Sequence, residues 1–380
     1  MKKKYIILSI IVLVLLITFV TSFNYFKTSN NYVEDSVNNQ TKIIKGISMN
    51  LEQTAGAGDY KTVTQSSWPT EGYKFNTELS RCENGSTLSW DDSKKAVVMN
   101  GNVSDKCYVY FDKVLTLANY VISQYTGIQG ENSLYYHDSN LANGVGDNSY
   151  RYAGASDSVN NYICLGSDAA TCPDDNLFRI IGVFGAQTKV IRAKSVGNQK
   201  WDTSSSNKWS SSSLNTYLNG TYLTSLGTLK NKIATTTWKV GGGTPANISE
   251  VVPATAYKNE VGSSASRTIV NKKIGLMYVT DYYYSASPSA WTLVGYNSSD
   301  TTKDYRVAKT INWLYLGSIE WTISCHSGTS YSAFGVGNLG YVSGYFDVST
   351  SSAVRPSFNL ESSVKYVSGS GSMSDPVRVN

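Results

Sequence analysis

The chain has 380 residues, of which 41% are apolar and 16% are charged, a composition that supports a buried core and excludes a disordered tail. Lysine and arginine number 33 against 28 acidic residues, and this balance excludes the basic footprint of a nucleic-acid-binding protein. Tyrosine is unusually frequent, with 28 residues. Tyrosine among serine, glycine and asparagine is typical of recognition surfaces, although codon bias in an AT-rich genome gives the same enrichment.

The first predicted element is an N-terminal membrane anchor at residues 1–30. Lys2, Lys3 and Lys4 precede a nearly uncharged apolar run over residues 5–26, and about 20 apolar residues are enough to cross a bilayer. The positive-inside rule leaves the lysines in the cytoplasm. We therefore predict a single-pass protein of the cell membrane with the bulk of its chain extracytoplasmic. The alternative is a cleaved signal peptide, which would give a secreted protein.

Two further segments precede the main domain. Residues 31–59 are polar and show little sustained periodicity, which predicts a stalk or linker. Residues 60–113 alternate short β-rich runs with turn signals such as Asn84-Gly85, which predicts a small β-rich module. A module of this size has little core of its own and gains from a cross-link.

The five cysteines form two local pairs with one left over. Their spacing predicts disulfides between Cys82 and Cys107 and between Cys164 and Cys172, with other pairings still open. Each predicted pair should bring its Cα atoms within about 4.4–6.8 Å. Cys325 is the remaining cysteine. Neither pair has the spacing of a metal site, and we expect no metal and no cofactor.

Residues 114–380 predict a domain with few, short helices, several strands and long polar loops. An apolar rhythm over residues 115–122 predicts a helix, and two β-rich runs around a glycine turn predict a hairpin over residues 176–193. Serine before an apolar repeat and glycine after it predict a capped helix at residues 212–220. Further strands are predicted at residues 274–279, 312–316, 320–324, 334–342 and 353–360.

An ordered series of segments across residues 174–362 carries a resemblance to a known family. The segments are Asn176-Leu177-Phe178-Arg179-Ile180-Ile181-Gly182, the Trp209 to Gly220 helix, Ile274-Gly275-Leu276, Trp321-Thr322-Ile323-Ser324 and Val354-Arg355-Pro356. The series resembles uncharacterised bacterial surface domains that are similar to the formylglycine-generating-enzyme version of the C-type lectin-like fold. The resemblance implies an α+β, C-type lectin-like domain at residues 114–380 with its core at 174–362, preceded by the β module and a transmembrane helix.

The resemblance implies no fixed chemistry, because a fold does not determine function. Formylglycine-generating enzymes bind copper through two cysteines, and only Cys325 remains after the predicted disulfides. His326 follows it directly, but neighbours along a strand point to opposite faces. We therefore predict no catalytic residues.

Two aromatic and charged features have competing interpretations. Trp313, Tyr315 and Trp321 could line a carbohydrate shelf, but their spacing within strand-like runs favours the core. Arg355 could bind a ligand, but an arginine on a terminal strand more often pairs with a nearby carboxylate.

The leading functional hypothesis is a cell-surface binding or adhesion protein displayed outside the membrane, with a glycan or a protein as its ligand. The loops at residues 285–304 and 327–352 suit adaptable contact. The candidate ligand surface consists of Tyr296, Tyr305, Tyr331, Tyr341 and Tyr345. The alternatives are an extracytoplasmic enzyme, of the formylglycine-generating type or another, and a pilin-like structural subunit.

Overall fold

A computed structural model describes residues 32–34, 41–43, 46–64, 67–69, 72–241, 243–262, 268–293 and 308–380. The fold is mixed α/β and consists mostly of sheets, with 34% of residues in strands and 19% in helices. The chain divides into two compact units, unit 1 at Met1–Leu115 and unit 2 at Thr116–Asn380.

The predicted fold class is wrong. We expected an α+β, C-type lectin-like domain behind a transmembrane helix, whereas sheets dominate the described residues. The order of short segments along the chain carried that expectation, and segment order does not fix which strands pair.

The prediction of a single membrane span is also wrong. The same holds for the membrane as a partner and for the cell membrane as the location of the protein. Across the described ranges, no helix is both long enough and apolar enough to cross a membrane. The predicted anchor at residues 1–30 lies outside those ranges. Hydropathy supplied only the length of an apolar run, and length by itself does not establish a helix.

The described part of unit 1 consists of nine short strands. They are β1 Tyr32–Glu34, β2 Thr41–Ile43, β3 Ile47–Glu52, β4 Tyr60–Val63, β5 Tyr73–Phe75, β6 Arg81–Cys82, β7 Thr87–Asp91, β8 Ala96–Asn100 and β9 Cys107–Lys113. The main sheet has the order β4-β3-β9-β5, with β6 also paired to β9. In β9, Cys107, Val109 and Phe111 are buried while the residues between them are half-buried, which is the period of two that a strand on a core requires. Strand β3 lies in the segment predicted as a stalk and pairs in parallel with β9.

Both predicted disulfides are confirmed. Cys82 and Cys107 lie directly opposite each other on β6 and β9, with their Cα atoms 4.0 Å apart, slightly closer than we predicted. The Cα atoms of Cys164 and Cys172 are 5.8 Å apart, within the predicted range.

Unit 2 contains sixteen strands and seven α-helices among its described residues. The strands are β10 Leu134–Tyr136, β11 Tyr150–Tyr152, β12 Tyr162–Cys164, β13 Leu177–Phe184, β14 Gln187–Arg192, β15 Asn198–Lys200, β16 Thr236–Lys239, β17 Ile269–Lys272, β18 Ile274–Gly275, β19 Glu320–Cys325, β20 Ser332–Val336, β21 Val342–Asp347, β22 Ser351–Ala353, β23 Ser357–Leu360, β24 Tyr366–Ser368 and β25 Val377–Val379. The helices are α1 Leu117–Ser123, α2 Ser213–Tyr217, α3 Leu223–Ser225, α4 Pro245–Ile248, α5 Pro253–Glu260, α6 Val279–Tyr284 and α7 Ala308–Ile311. A π-helical turn, Leu218–Tyr222, joins α2 to α3, and 3₁₀ turns lie at Glu131–Ser133, Asp174–Asn176, Trp209–Ser211, Gly227–Lys232 and Pro288–Ala290.

The described part of unit 2 contains two large sheets and a two-stranded sheet formed by β16 and β17. The larger has the order β18-β23-β14-β13-β12-β25-β24, with β11 also on β13 and β10 on β11. The smaller has the order β15-β22-β19-β20-β21. One continuous apolar core includes residues from both, such as Phe178 and Phe358 from the larger and Trp321 and Phe334 from the smaller.

Several local predictions agree with these elements. The predicted hairpin at 176–193 is β13 and β14, antiparallel around Gly185, whose φ of 61° suits glycine. The predicted capped helix begins at α2, where the Ser212 hydroxyl accepts a hydrogen bond from Asn215 N at 3.1 Å. Residues 312–316, predicted as a strand, instead turn, because the Asn312 side chain accepts from Leu314 N at 2.9 Å.

Candidate functional site

Two of the five tyrosines predicted to form a ligand surface are exposed. Tyr345 is 65% exposed and Tyr331 is 53% exposed. Tyr341 is half-buried, and its ring stacks on Phe346 with centroids 6.5 Å apart. Tyr296 and Tyr305 lie outside the described residues. The described part of the candidate surface therefore centres on Tyr331 and Tyr345.

Strand β21 presents Tyr345 at the end of a sheet. Along this strand Val342 and Gly344 are buried while Tyr345 and Asp347 are exposed, so successive side chains alternate between core and solvent. Strand β21 is the last strand of the smaller sheet, and no described strand pairs with its outer side. We call this outer side the β21 edge.

The ring of a buried histidine, His326, packs against Tyr345. The His326 ring lies with its centroid 5.3 Å from Tyr345 and 6.2 Å from Phe334, and its Nδ1 accepts a hydrogen bond from Gly328 N at 2.8 Å. Burial lowers the pKa of His326, which favours the neutral ring. A side chain at Gly344 would place its Cβ 2.8 Å from Phe334, so glycine is needed for this packing.

Cys325 and His326 have different neighbours. Cys325 lines a small cavity together with Gly241, Glu260 and Ser324, whereas the His326 ring packs against aromatic side chains. That the two side chains do not cooperate stays a prediction.

The Glu260 side chain caps the N-terminus of α6. Its carboxylate accepts hydrogen bonds from Val279 N at 2.9 Å, from Thr280 N at 2.8 Å and from the Ser324 hydroxyl. Burial raises the pKa of Glu260. The carboxylate satisfies helix N–H groups that have no partner inside the helix.

Two further buried acids are paired with bases. The Glu320 carboxylate accepts hydrogen bonds from Nε and Nη2 of Arg355, at 2.6 and 2.7 Å. Both side chains are at most 2% exposed. The prediction that Arg355 pairs with a carboxylate is confirmed. Lys189 Nζ lies 2.5 Å from Asp281 Oδ2. Within the described ranges, no group of three or more His, Cys, Asp or Glu side chains is arranged to hold a metal ion.

The tryptophans weighed as a carbohydrate shelf belong to the core. Trp313 and Trp321 are 2% and 0% exposed, which confirms the core interpretation for both. Trp313 Nε1 donates to Tyr152 O at 2.8 Å. Tyr315 is half-buried.

One family of known sequences matches part of this chain. Its model, described as a domain of unknown function (DUF6273), matches residues 186–362. The matched family has no assigned function. The match covers less than half of the chain and includes the β21 edge, so this candidate surface lies in a segment that is similar to other proteins. No curated protein and no solved structure gives a match. The resemblance to formylglycine-generating enzymes stays a prediction.

His137 is fully buried, and no role was predicted for it from the sequence. Its ring lies 5.1 Å from Tyr284 and 5.2 Å from Trp291 between centroids. Among the described residues, its Nε2 finds no hydrogen-bond partner. Burial, assisted by the nearby Arg151 cation, lowers the pKa of His137 from 6.5 to about 3.

This buried histidine predicts a loss of stability in mild acid. The unfolded state binds a proton near pH 6.5 and the folded state does not until about pH 3, so the free energy of unfolding should fall as pH drops from 6.5 to 4. Over that window the loss should reach a few kcal/mol, because each pKa unit corresponds to about 1.4 kcal/mol. Denaturant unfolding at each pH measures it.

The variant His137→Gln tests the assignment. Between pH 6.5 and 4 the free energy of unfolding of the variant should fall less steeply than that of the unmodified chain, because the contribution of His137 is removed. His326, whose pKa is lowered, and the buried Glu260 and Glu320, whose pKa values are raised, contribute in both proteins. The neighbouring Asp147 has its pKa lowered to about 2, so it titrates mainly below this window. An unchanged slope in the variant would refute the role of His137.

Proposed function

We propose that this chain is a binding protein whose β21 edge takes up an extended segment of another polypeptide. The exposed Tyr345 on a sheet-terminal strand carries the proposal. An edge strand offers a row of backbone N–H and C=O groups that a polypeptide strand can match. A glycan has no such row, so the edge favours the protein ligand over the glycan.

The side chains at this edge suit recognition. Tyrosine provides a large, rigid contact area at low entropic cost, and aromatic residues are enriched among those that dominate binding energy. The exposed Asp347 carboxylate is held by Ser349, through its N–H at 2.8 Å and its hydroxyl at 2.7 Å. These bonds lower the pKa of Asp347, so the edge carries one negative charge and favours a segment that contains lysine or arginine.

The features that would favour catalysis have structural explanations. Glu260, Glu320 and Asp281 are occupied by helix capping or ion pairs, and Cys325 and His326 lie among different neighbours. These observations support binding over the enzymatic alternative. Membrane attachment is no part of the proposal.

A peptide array probed with the full chain tests the function. Positive spots should be peptides with β-propensity and a basic residue. Their affinity should fall at least about tenfold in Tyr345→Ala, within the range for an aromatic anchor residue. Ser343→Lys should also weaken binding, because an edge lysine opposes strand pairing and because the change removes the hydroxyl that accepts a hydrogen bond from Tyr345 N at 3.2 Å.

The charge-matched control is Thr228→Lys, since Thr228 is exposed and lies on a 3₁₀ turn outside β21. It should bind like the unmodified chain. Binding that survives both β21 variants, or binding to glycans with none to peptides, would exclude the β21 edge as a polypeptide site.

A further inference from the structure

A second candidate site lies in unit 2, outside the family-matched segment. It is a cavity of about 370 Å³ whose lining comes entirely from residues 120–180 and 370–377. This volume falls within the range of about 300–1,000 Å³ that small-molecule sites occupy. Its floor is buried and includes Tyr152, Ile180 and Val377, while Asn132 and Asn160 on its rim are exposed.

The lining is uncharged and rich in hydrogen-bonding groups. It consists of tyrosine, serine, asparagine and glutamine with glycine and two aliphatic side chains. A charged ligand would lose its hydration here without gaining a counter-charge. The lining therefore selects a neutral ligand that offers several donors and acceptors.

Tyr152 gives the cavity an unused donor. The side chain is 4% exposed, and among the described residues its hydroxyl makes no hydrogen bond. Burial raises the pKa of Tyr152, so the hydroxyl stays protonated. Tyr152 lines the cavity, so its hydroxyl can donate to an acceptor on a bound ligand.

The walls of the cavity are held in place. The Tyr120 ring stacks on Tyr366 with centroids 3.8 Å apart, and both hydroxyls donate to Gly369 O at 3.1 Å. On another wall, Asn132 and Ser133 adopt left-handed backbone conformations with φ of 56° and 58°. Such conformations are unusual outside glycine and cluster at ligand sites.

Asn132 is fixed in this conformation by its own side chain. Its Nδ2 donates to Gln124 O at 2.9 Å, and Gln124 also lines the cavity. The cavity thus combines rigid aromatic surface, amide groups and a buried hydroxyl donor.

We propose that this cavity binds a small neutral polyhydroxylated molecule, with the size and chemistry of a mono- or disaccharide. The sugar hydroxyls form hydrogen bonds with the amide and serine groups of the rim, and one sugar oxygen accepts a hydrogen bond from the Tyr152 hydroxyl. The apolar face of the sugar ring packs on the Tyr120 ring. The site is separate from the β21 edge and does not depend on the function proposed for it.

Isothermal titration calorimetry of the full chain with a panel of neutral mono- and disaccharides tests the site. At least one sugar should bind saturably with one site per chain. Tyr152→Phe keeps the ring and removes the hydroxyl, so it should weaken binding about five- to tenfold, the value of one hydrogen bond.

Tyr222→Phe is the matched control. Tyr222 is also buried, and its hydroxyl has no hydrogen-bond partner within the part of the chain that the structure describes, but it does not line the cavity. This variant should bind sugar like the unmodified chain, and so should Tyr345→Ala, which separates this site from the β21 edge. The proposal is overturned by an absence of saturable sugar binding, by equal binding of acidic sugars, or by an unchanged affinity in Tyr152→Phe.

Discussion

Replacing Arg355 with methionine should lower the free energy of unfolding of unit 2 by about 3–5 kcal/mol, the loss expected when one partner of a buried ion pair is removed. The Glu320 carboxylate would stay buried in the variant without its two hydrogen bonds from the guanidinium. The hydrogen bond from Arg355 Nη2 to Leu314 O, which is 2.5 Å long, would also be lost. Urea unfolding followed by tryptophan fluorescence measures the loss.

The pH dependence of that loss identifies its cause. Burial already raises the pKa of Glu320, and Arg355 opposes this rise. In Arg355→Met the pKa should rise further, so the destabilisation should shrink as pH falls and the carboxyl group becomes neutral.

Two further variants complete the experiment. Lys194→Met removes an ion pair in which both side chains are more than half exposed, and it should change stability little. The double variant Arg355→Met with Glu320→Leu should recover much of the loss, because no unpaired charge remains. A small loss in Arg355→Met, equal to that of Lys194→Met, would contradict a role for this pair in holding β19 to the segment before β23.

Removing the Cys82–Cys107 disulfide should destabilise unit 1 by about 2–5 kcal/mol. The bond closes a sequence separation of 25 residues around a core of only nine buried apolar residues among those described. The double variant Cys82→Ala and Cys107→Ala should therefore unfold unit 1 at a lower temperature in a calorimetric scan. The transition of unit 2 should stay where it is.

The second disulfide provides the comparison. Cys164 and Cys172 are separated by 8 residues, so their removal should cost less, because a shorter loop has less closure entropy to lose. It should affect unit 2 and leave unit 1 unchanged. Equal shifts of both transitions in either variant would show that the two units do not unfold separately.

Local features were predictable from the sequence because they depend on near neighbours. The two disulfides join cysteines that are close along the chain. The β13–β14 hairpin follows from a glycine turn between two β-rich runs, and the cap of α2 follows from Ser212. In each case the interacting groups lie no more than 25 residues apart in the chain.

The surface tyrosines show where local patterns stop being sufficient. Tyr341 and Tyr345 both lie in the segment predicted as a ligand loop, yet only Tyr345 is exposed to more than half of its area. Tyr341 precedes β21 and its ring stacks on Phe346, whereas Tyr345 lies on β21 with its side chain exposed. These contacts depend on the packing of whole strands and not on the residue type.

The tyrosine-rich composition can be read from the sequence alone, and the sequence also predicted the two cysteine pairs and several local elements. Three features required the folded structure: the pairing of β3 with β9, the position of β21 at the end of a sheet, and the cavity lined by Tyr120, Tyr152 and Ser370. Hydrophobic burial does not depend on direction and acts on all apolar segments alike. Which distant strands meet is therefore decided by how the whole core packs, and this information is spread over residues far apart in the chain.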